Sequence, residues 1–221
     1  MVFGQRINDN HRFLSGIIRI ILGIFLAVIL MTNTIELLEE MSLAFHMLPE
    51  HIAYILVGGL TSSGIEKIVI DSINRFRVKR SGVLLAKAYS TFSRLNITVN
   101  SKGFVGIALI SIVLVYWHIP ENFTLGILNN SLHFQMHFSF ILIGGILLSL
   151  TKVLSKFRLV ILLIAIGKVM TLYGFYLSTV ASPIYVTYNL AQHGVVGLIM
   201  SASMIPVIAV SVIYLVRRIM R

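Results

Sequence analysis

The chain has no cysteine among its 221 residues, which excludes disulfides and thiolate metal ligands together. Charge is scarce: 12% of residues are charged and 57% are hydrophobic, whereas an average soluble domain has about 25% charged residues. That balance excludes an ordinary soluble domain and indicates an integral membrane protein of one domain. No A-x-A-like cleavage site follows the first apolar segment, so it reads as a retained helix rather than a signal peptide. Acidic residues are the scarcer sign, 8 against 18 Lys and Arg, for a net charge of +10. In a soluble protein such an excess suggests nucleic acid. Here the cations lie mostly in loops beside apolar spans, so bilayer orientation accounts for them and no nucleic-acid partner is expected. Nucleophile-elbow, P-loop and dinucleotide fingerprints are all missing.

What is present is long apolar runs. Six of them reach spanning length, over residues 13–37, 48–65, 103–119, 131–150, 159–181 and 190–216. Backbone groups in lipid must be satisfied within the segment, so each is predicted to be a helix. Lys and Arg fall in alternate connections: Arg6 and Arg12 before the first helix, then a basic stretch from Lys67 to Lys102. Lys152, Lys156 and Arg158 follow, and Arg217, Arg218 and Arg221 close the chain. The segments 38–47, 120–130 and 182–189 contain neither residue. The expectation is an all-α polytopic fold: six transmembrane helices in three hairpins over 1–221, N and C termini cytoplasmic. Within 66–102, Ile73, Phe76, Leu84, Leu85, Ala88, Phe92 and Leu95 recur among cations. That pattern predicts one amphipathic helix on the cytoplasmic surface, or a mobile basic linker. Arg19 is placed to snorkel to the cytoplasm. Lys168, near the middle of the fifth helix, is either an intramembrane functional charge or a side chain reaching the inner interface.

The sequence also repeats. H-I-A-Y-I-L-V-G-G-L from His51 aligns with H-F-S-F-I-L-I-G-G-I from His137, pairing Tyr54 with Phe140 and Gly58-Gly59 with Gly144-Gly145. The glycines predict close helix packing. Of seven histidines, His11 lies in the N-terminal tail; His46, His51, His118, His133, His137 and His193 all fall on the extracytoplasmic side of the predicted topology. His133 and His137 share a helical face and can grip one ion together. His46 and His51 are five apart, which suits a continuous α-helix poorly, and Pro49 places His46 in an entry loop. Imidazole suits Zn, Cu, Fe and Ni. Copper or iron is expected, with Met47 and Met136 as added soft ligands for Cu(I). Glu36, Glu39, Glu40, Glu50 and Glu121 lie on the same side; Glu39 and Glu40 read as loop-solvating residues, or as groups that attract cations.

Y-N-L-A-Q-H-G-V-V-G-L-I-M, from Tyr188 to Met200, resembles the D-Q-Q-x-x-G-x-x-M element of CtaG-type assembly factors for cytochrome c oxidase. H-F-Q-M-H from His133 is similar to their H-x-x-x-H helix start. H-M-L-P-E-H from His46 is similar to the H-M-x-x-H-H-type openings of small archaeal six-helix relatives. Ala191 stands where the family has Asp, and His193 where it has the second Gln. The resemblance implies a copper-handling protein of the cell membrane acting in assembly or metallation of a terminal oxidase, with His133, His137, Gln192 and His193 carried over. The expected metal set is then His46, His51, His118, His133, His137, Gln192 and His193, in a binding protein rather than an enzyme. The alternative is a b-type haem protein or accessory subunit of a respiratory complex, with His51 and His137 as axial ligands. A membrane oxidoreductase with a copper site is the third reading.

Overall fold

The computed structural model describes residues 3–219; Arg221, one of the C-terminal cations, lies outside the described residues. The described chain runs α1 (Phe3–Leu30), α2 (Asn33–Met41), α3 (Leu43–Phe45), a π-turn (His46–Glu50), α4 (His51–Arg75) and α5 (Arg80–Asn100). It continues with α6 (Phe104–His118), α7 (Pro120–Leu128), α8 (Asn130–Val153), α9 (Lys156–Thr179) and α10 (Leu190–Ile219). No strand occurs among the described residues, and the fold is all-α, as expected.

Five stretches are long and apolar enough to cross a membrane: His11–Leu30, Leu43–Arg75, Asn130–Val153, Lys156–Thr179 and Leu190–Arg217. Their outward faces keep large apolar side chains exposed, among them Ile21, Phe25, Leu56, Leu142, Leu172 and Leu198, as helices that face lipid do. The third predicted span differs. α6 has 15 residues, about 22 Å at 1.5 Å per residue, which is short of a hydrocarbon core of about 30 Å. It joins α5 across an 80° bend. Gly103 stands at that bend with φ 80°, a left-handed backbone that L side chains rarely adopt.

Several boundaries move. The first apolar run breaks at Met31–Thr32, where Thr32 is extended (φ −85°, ψ 146°), and α2 starts afresh with Glu36, Glu39 and Glu40 on it. The second continues to Arg75. The stretch 66–102 is therefore not one amphipathic helix but the end of α4, a turn over 76–79, and α5. The segment 120–130, read as a loop, contains α7, whose Pro120 sits in the first helical turn where its missing N–H costs nothing. Arg19 does not reach outward; its guanidinium donates to Ser63 Oγ at 3.0 Å, across the α1–α4 contact. Lys168 is exposed on α9.

α4 is the central helix, with α1 along one side and α8 along the other. The repeat seen in the sequence organises the α4–α8 contact. A Cβ on Gly58 would strike the Ile141 carbonyl, and one on Gly144 would strike the Ile55 carbonyl. Ile55 and Ile141 are themselves repeat partners, so the two helices meet through a pair of equivalent glycine contacts. Above it, the His51 ring stacks on Phe140 (4.0 Å between centroids) and the His137 ring on Tyr54 (4.2 Å), again exchanging repeat partners. Leu30, Tyr54, Val57, Ile110, Met136, Phe140 and Ile143 form one apolar core around this contact. A second core, with Leu43, Met47, Phe123, Leu177, Tyr185, Tyr188 and Met200, ties the α9–α10 pair to the π-turn and α7.

This close approach gives a test. Gly58→Val forces α4 from α8 and should cost at least ~1–3 kcal/mol, read as a lower unfolding midpoint in detergent. Gly194→Ala, where an added Cβ meets nothing within 4 Å, should leave the midpoint unchanged. Equal midpoints for the two variants would contradict this packing.

Candidate metal centre

The starts of α4 and α8, the π-turn and α2 bring together Glu39, His46, Glu50, His51, His133 and His137. An α-helix puts residues four apart on one face, as for His133 and His137, whose rings lie 4.2 Å apart. His46 and His51 are five apart, yet their rings lie 5.2 Å apart. The π-turn supplies the reason. Its i→i+5 bonding widens the helix by one residue, so a spacing of five there matches a spacing of four in α8. Pro49 lacks the N–H that a regular α-turn would use, and its ring crowds the carbonyl four residues back, favouring the wider turn. His46 is therefore on a helical turn, not in an entry loop. Its ring is parallel to that of His133, at 5.9 Å and 12° between planes.

Two carboxylates sit among these rings. Glu39 is 3% exposed and Glu50 0%. Glu50 Oε2 lies 3.0 Å from His46 Nδ1, and Glu50 Oε1 contacts His137 Nε2. Glu39 Oε2 lies 3.2 Å from His133 Nε2 and 3.6 Å from His46 Nδ1. One donor atom from each of Glu39, Glu50, His133 and His137 lies within 4.8 Å of the other three. Around a tetrahedral ion with bonds of ~2.0–2.1 Å, donors sit ~3.3–3.5 Å apart, so the four side chains would close a shell by side-chain adjustment.

Apart from Asp71 Oδ1 near the far end of α4, the buried polar atoms without a hydrogen-bond partner among the described residues gather at the same place. Both oxygens of Glu39 and Glu50, both ring nitrogens of His46, and Nε2 of His51 and of His137 are buried without a partner in hydrogen-bond geometry. Tyr54 OH, on the ring stacked against His137, shares that condition. Neither Glu39 nor Glu50 has a Lys or Arg in ion-pair contact among the described residues. Buried carboxylates without such partners are costly, by several kcal/mol each. A divalent cation balances both charges and leaves the imidazoles neutral and free to ligate.

The remaining histidines and Gln192 are placed differently. His118 Nδ1 donates to the Leu114 carbonyl at 2.7 Å, which leaves Nε2 with a lone pair; its ring lies 5.8 Å from that of His51. It stands beside His51 rather than at the carboxylates. His193 is fully buried, and its Nε2 accepts from the backbone N–H of Tyr185 (3.0 Å) and Ile184 (3.2 Å). Its Nδ1 donates to the Asn189 carbonyl at 2.9 Å. Gln192 accepts from Leu43 N–H (3.1 Å) and donates to the Met41 carbonyl (3.0 Å). These two residues fasten the start of α10 to the segment 184–189 and to the α2–α3 junction. Tyr188 completes the cap by donating to the Glu39 backbone carbonyl at 2.6 Å. Burial, reinforced by the Glu50, Glu39 and Glu40 carboxylates, holds its phenol above the ordinary tyrosine value, so the donor persists at physiological pH. Met47 and Met136 belong to the apolar cores.

The sequence leaves Glu39 as a loop-solvating or cation-attracting residue and gives Glu50 no role beyond its side of the membrane. The signal for them was that acids stand beside apolar helices in segments with no Lys or Arg to pair with. No family model, curated protein or solved structure matches the chain.

His193→Ala should remove the acceptor for two buried N–H groups, at ~1–3 kcal/mol each, with bound metal per folded chain unchanged. Thermal unfolding and metal analysis on one preparation check both halves. Metal loss in a variant with wild-type stability would make His193 a ligand instead.

Proposed function

We propose that this chain is a multi-pass membrane protein that retains a divalent transition-metal ion at Glu39, Glu50, His133 and His137, with His46 beside them. The observation that carries the reading is the pair of buried carboxylates facing imidazoles, with no Lys or Arg in contact and no hydrogen-bond geometry among them. Mixed carboxylate and imidazole donors suit Zn²⁺, Fe²⁺, Mn²⁺ or Cu²⁺. Copper therefore enters this reading as Cu²⁺; the soft Cu⁺ is less suited to carboxylates, and both methionines are held in apolar cores.

In its fuller form the proposal has six spans, α5–α6 contributing the bent one, with both termini cytoplasmic and the centre extracytoplasmic. Support comes from the alternation of Lys and Arg between connections. Assembly or metallation of a terminal oxidase is the role implied by the CtaG-type resemblance. The H-F-Q-M-H element supports it, whereas Gln192 and His193 are occupied by backbone hydrogen bonds. Metal retention is thus the part we carry forward. The b-haem alternative draws no support from the packing, because the His51 and His137 rings are each stacked on an aromatic ring of the facing helix.

Metal analysis of purified protein should find about one transition-metal ion per chain, as expected for one mononuclear four-ligand site. The double variant His133→Ala, His137→Ala should lose it, and His11→Ala should keep it. Occupancy should fall as the pH is lowered, since protons compete for the ligands. Unchanged metal content in a folded double variant would end the proposal.

Orientation has its own check, made simple by the absence of native cysteine. Thr187→Cys should react with an impermeant thiol reagent from outside the cell, and Val78→Cys only after permeabilisation. The reverse pattern would invert the topology.

A further inference from the structure

One cavity opens beside the centre, lined by Glu36, Glu39, Glu40, His46, Asn130 and His133, with Ile127 and Tyr188 completing its wall. Glu36, Glu39 and Glu40 stand at i, i+3 and i+4 on α2, so they share one helical face. Burial deepens along the wall. Glu36 and Glu40 are exposed, His133 is half-buried, and Glu39 and His46 are buried. The inner two are 3% and 0% exposed and carry unpartnered oxygens and nitrogens, and both residues line the same cavity as the outer acids. The segments on this side, 38–47, 120–130 and 182–189, carry no Lys or Arg to neutralise the mouth.

We propose that this cavity is the loading port of the centre, with Glu36 and Glu40 capturing a hydrated divalent cation and His133 and Glu39 receiving it. This rests on the metal-retention reading above and adds its route. An opening lined by acids concentrates cations and raises association rates by ~10–10³. Glu36 and Glu40 stand outside the four-residue donor group, so their charge acts on arrival rather than on retention. Glu39 and His133 lie both in the cavity wall and in that group, so they mark where the route enters the shell. Apart from the three acids, His46 and His133, the lining consists of Asn130, Ile127 and Tyr188, none of them charged.

The test is stopped-flow binding of Co²⁺ to the metal-stripped full-length protein in detergent, followed by its visible absorption. Glu36→Gln with Glu40→Gln should slow association ~10-fold or more at low ionic strength. The loss should shrink as salt is added, and the final Co²⁺ stoichiometry should stay at the wild-type value. Glu121→Gln removes an exposed acid that does not line the cavity, and should leave the rate near wild type. An unchanged rate in the Glu36, Glu40 variant, with wild-type stoichiometry, would overturn the port and leave the centre standing. An equal slowing by Glu121→Gln would also overturn it, by showing that overall charge is responsible. Wild-type protein that binds no Co²⁺ and no other transition metal would overturn both readings.

Discussion

Two carboxylates held among imidazoles at the end of an apolar helix bundle are the constraint on which the rest of this structure depends. Glu39 and Glu50 are almost fully buried, and each is placed between two histidine rings. Ionised acids in such a setting need positive charge close by. The chain has 18 Lys and Arg, yet none contacts these two acids among the described residues. Positive charge must then come as protons on the rings or as a bound cation. A divalent ion satisfies both acids at once and makes use of the imidazole lone pairs.

The scaffold holds this arrangement by close backbone contact. α4 and α8 meet at Gly58 and Gly144, where each helix lies against the other's carbonyl. That contact fixes the height at which His51 and His137 stand, and the crossed stacking on Phe140 and Tyr54 fixes their rings. The π-turn then offsets the difference in spacing between the two repeat copies, bringing His46 parallel to His133. Glu50 breaks the symmetry: its counterpart by repeat position is Met136, an apolar core residue. Duplication gives the histidine frame, and the first copy adds the charge.

Much of this was legible in the residues. Apolar runs gave the helices, because lipid leaves the backbone no other partner. The His51/His137 repeat gave the contact between α4 and α8, because small residues at matched positions mark close approach. Less legible was anything that depends on where a helix pauses. Thr32 turns α2 away from α1 and so carries Glu39 inward, and no periodicity announces that break. The five-residue spacing of His46 and His51 reads as a loop because it does not fit α-helical periodicity, whereas the π-turn accommodates it. His193 reads as a ligand from its residue type and expected side, and Gln192 only from the CtaG-type resemblance; their hydrogen bonds to the capping backbone depend on the path of 180–189, which has no regular pattern.

The central claim is that carboxylate and imidazole, not sulfur, surround a bound ion at Glu39, Glu50, His133 and His137. X-ray absorption spectroscopy of the metal-loaded protein tests it most directly. The account predicts a first shell of nitrogen and oxygen alone at ~2.0–2.2 Å, with outer-shell imidazole scattering that falls away in the His133→Ala, His137→Ala variant. A sulfur shell near ~2.3 Å, or an imidazole signal that persists in the double variant, would contradict it.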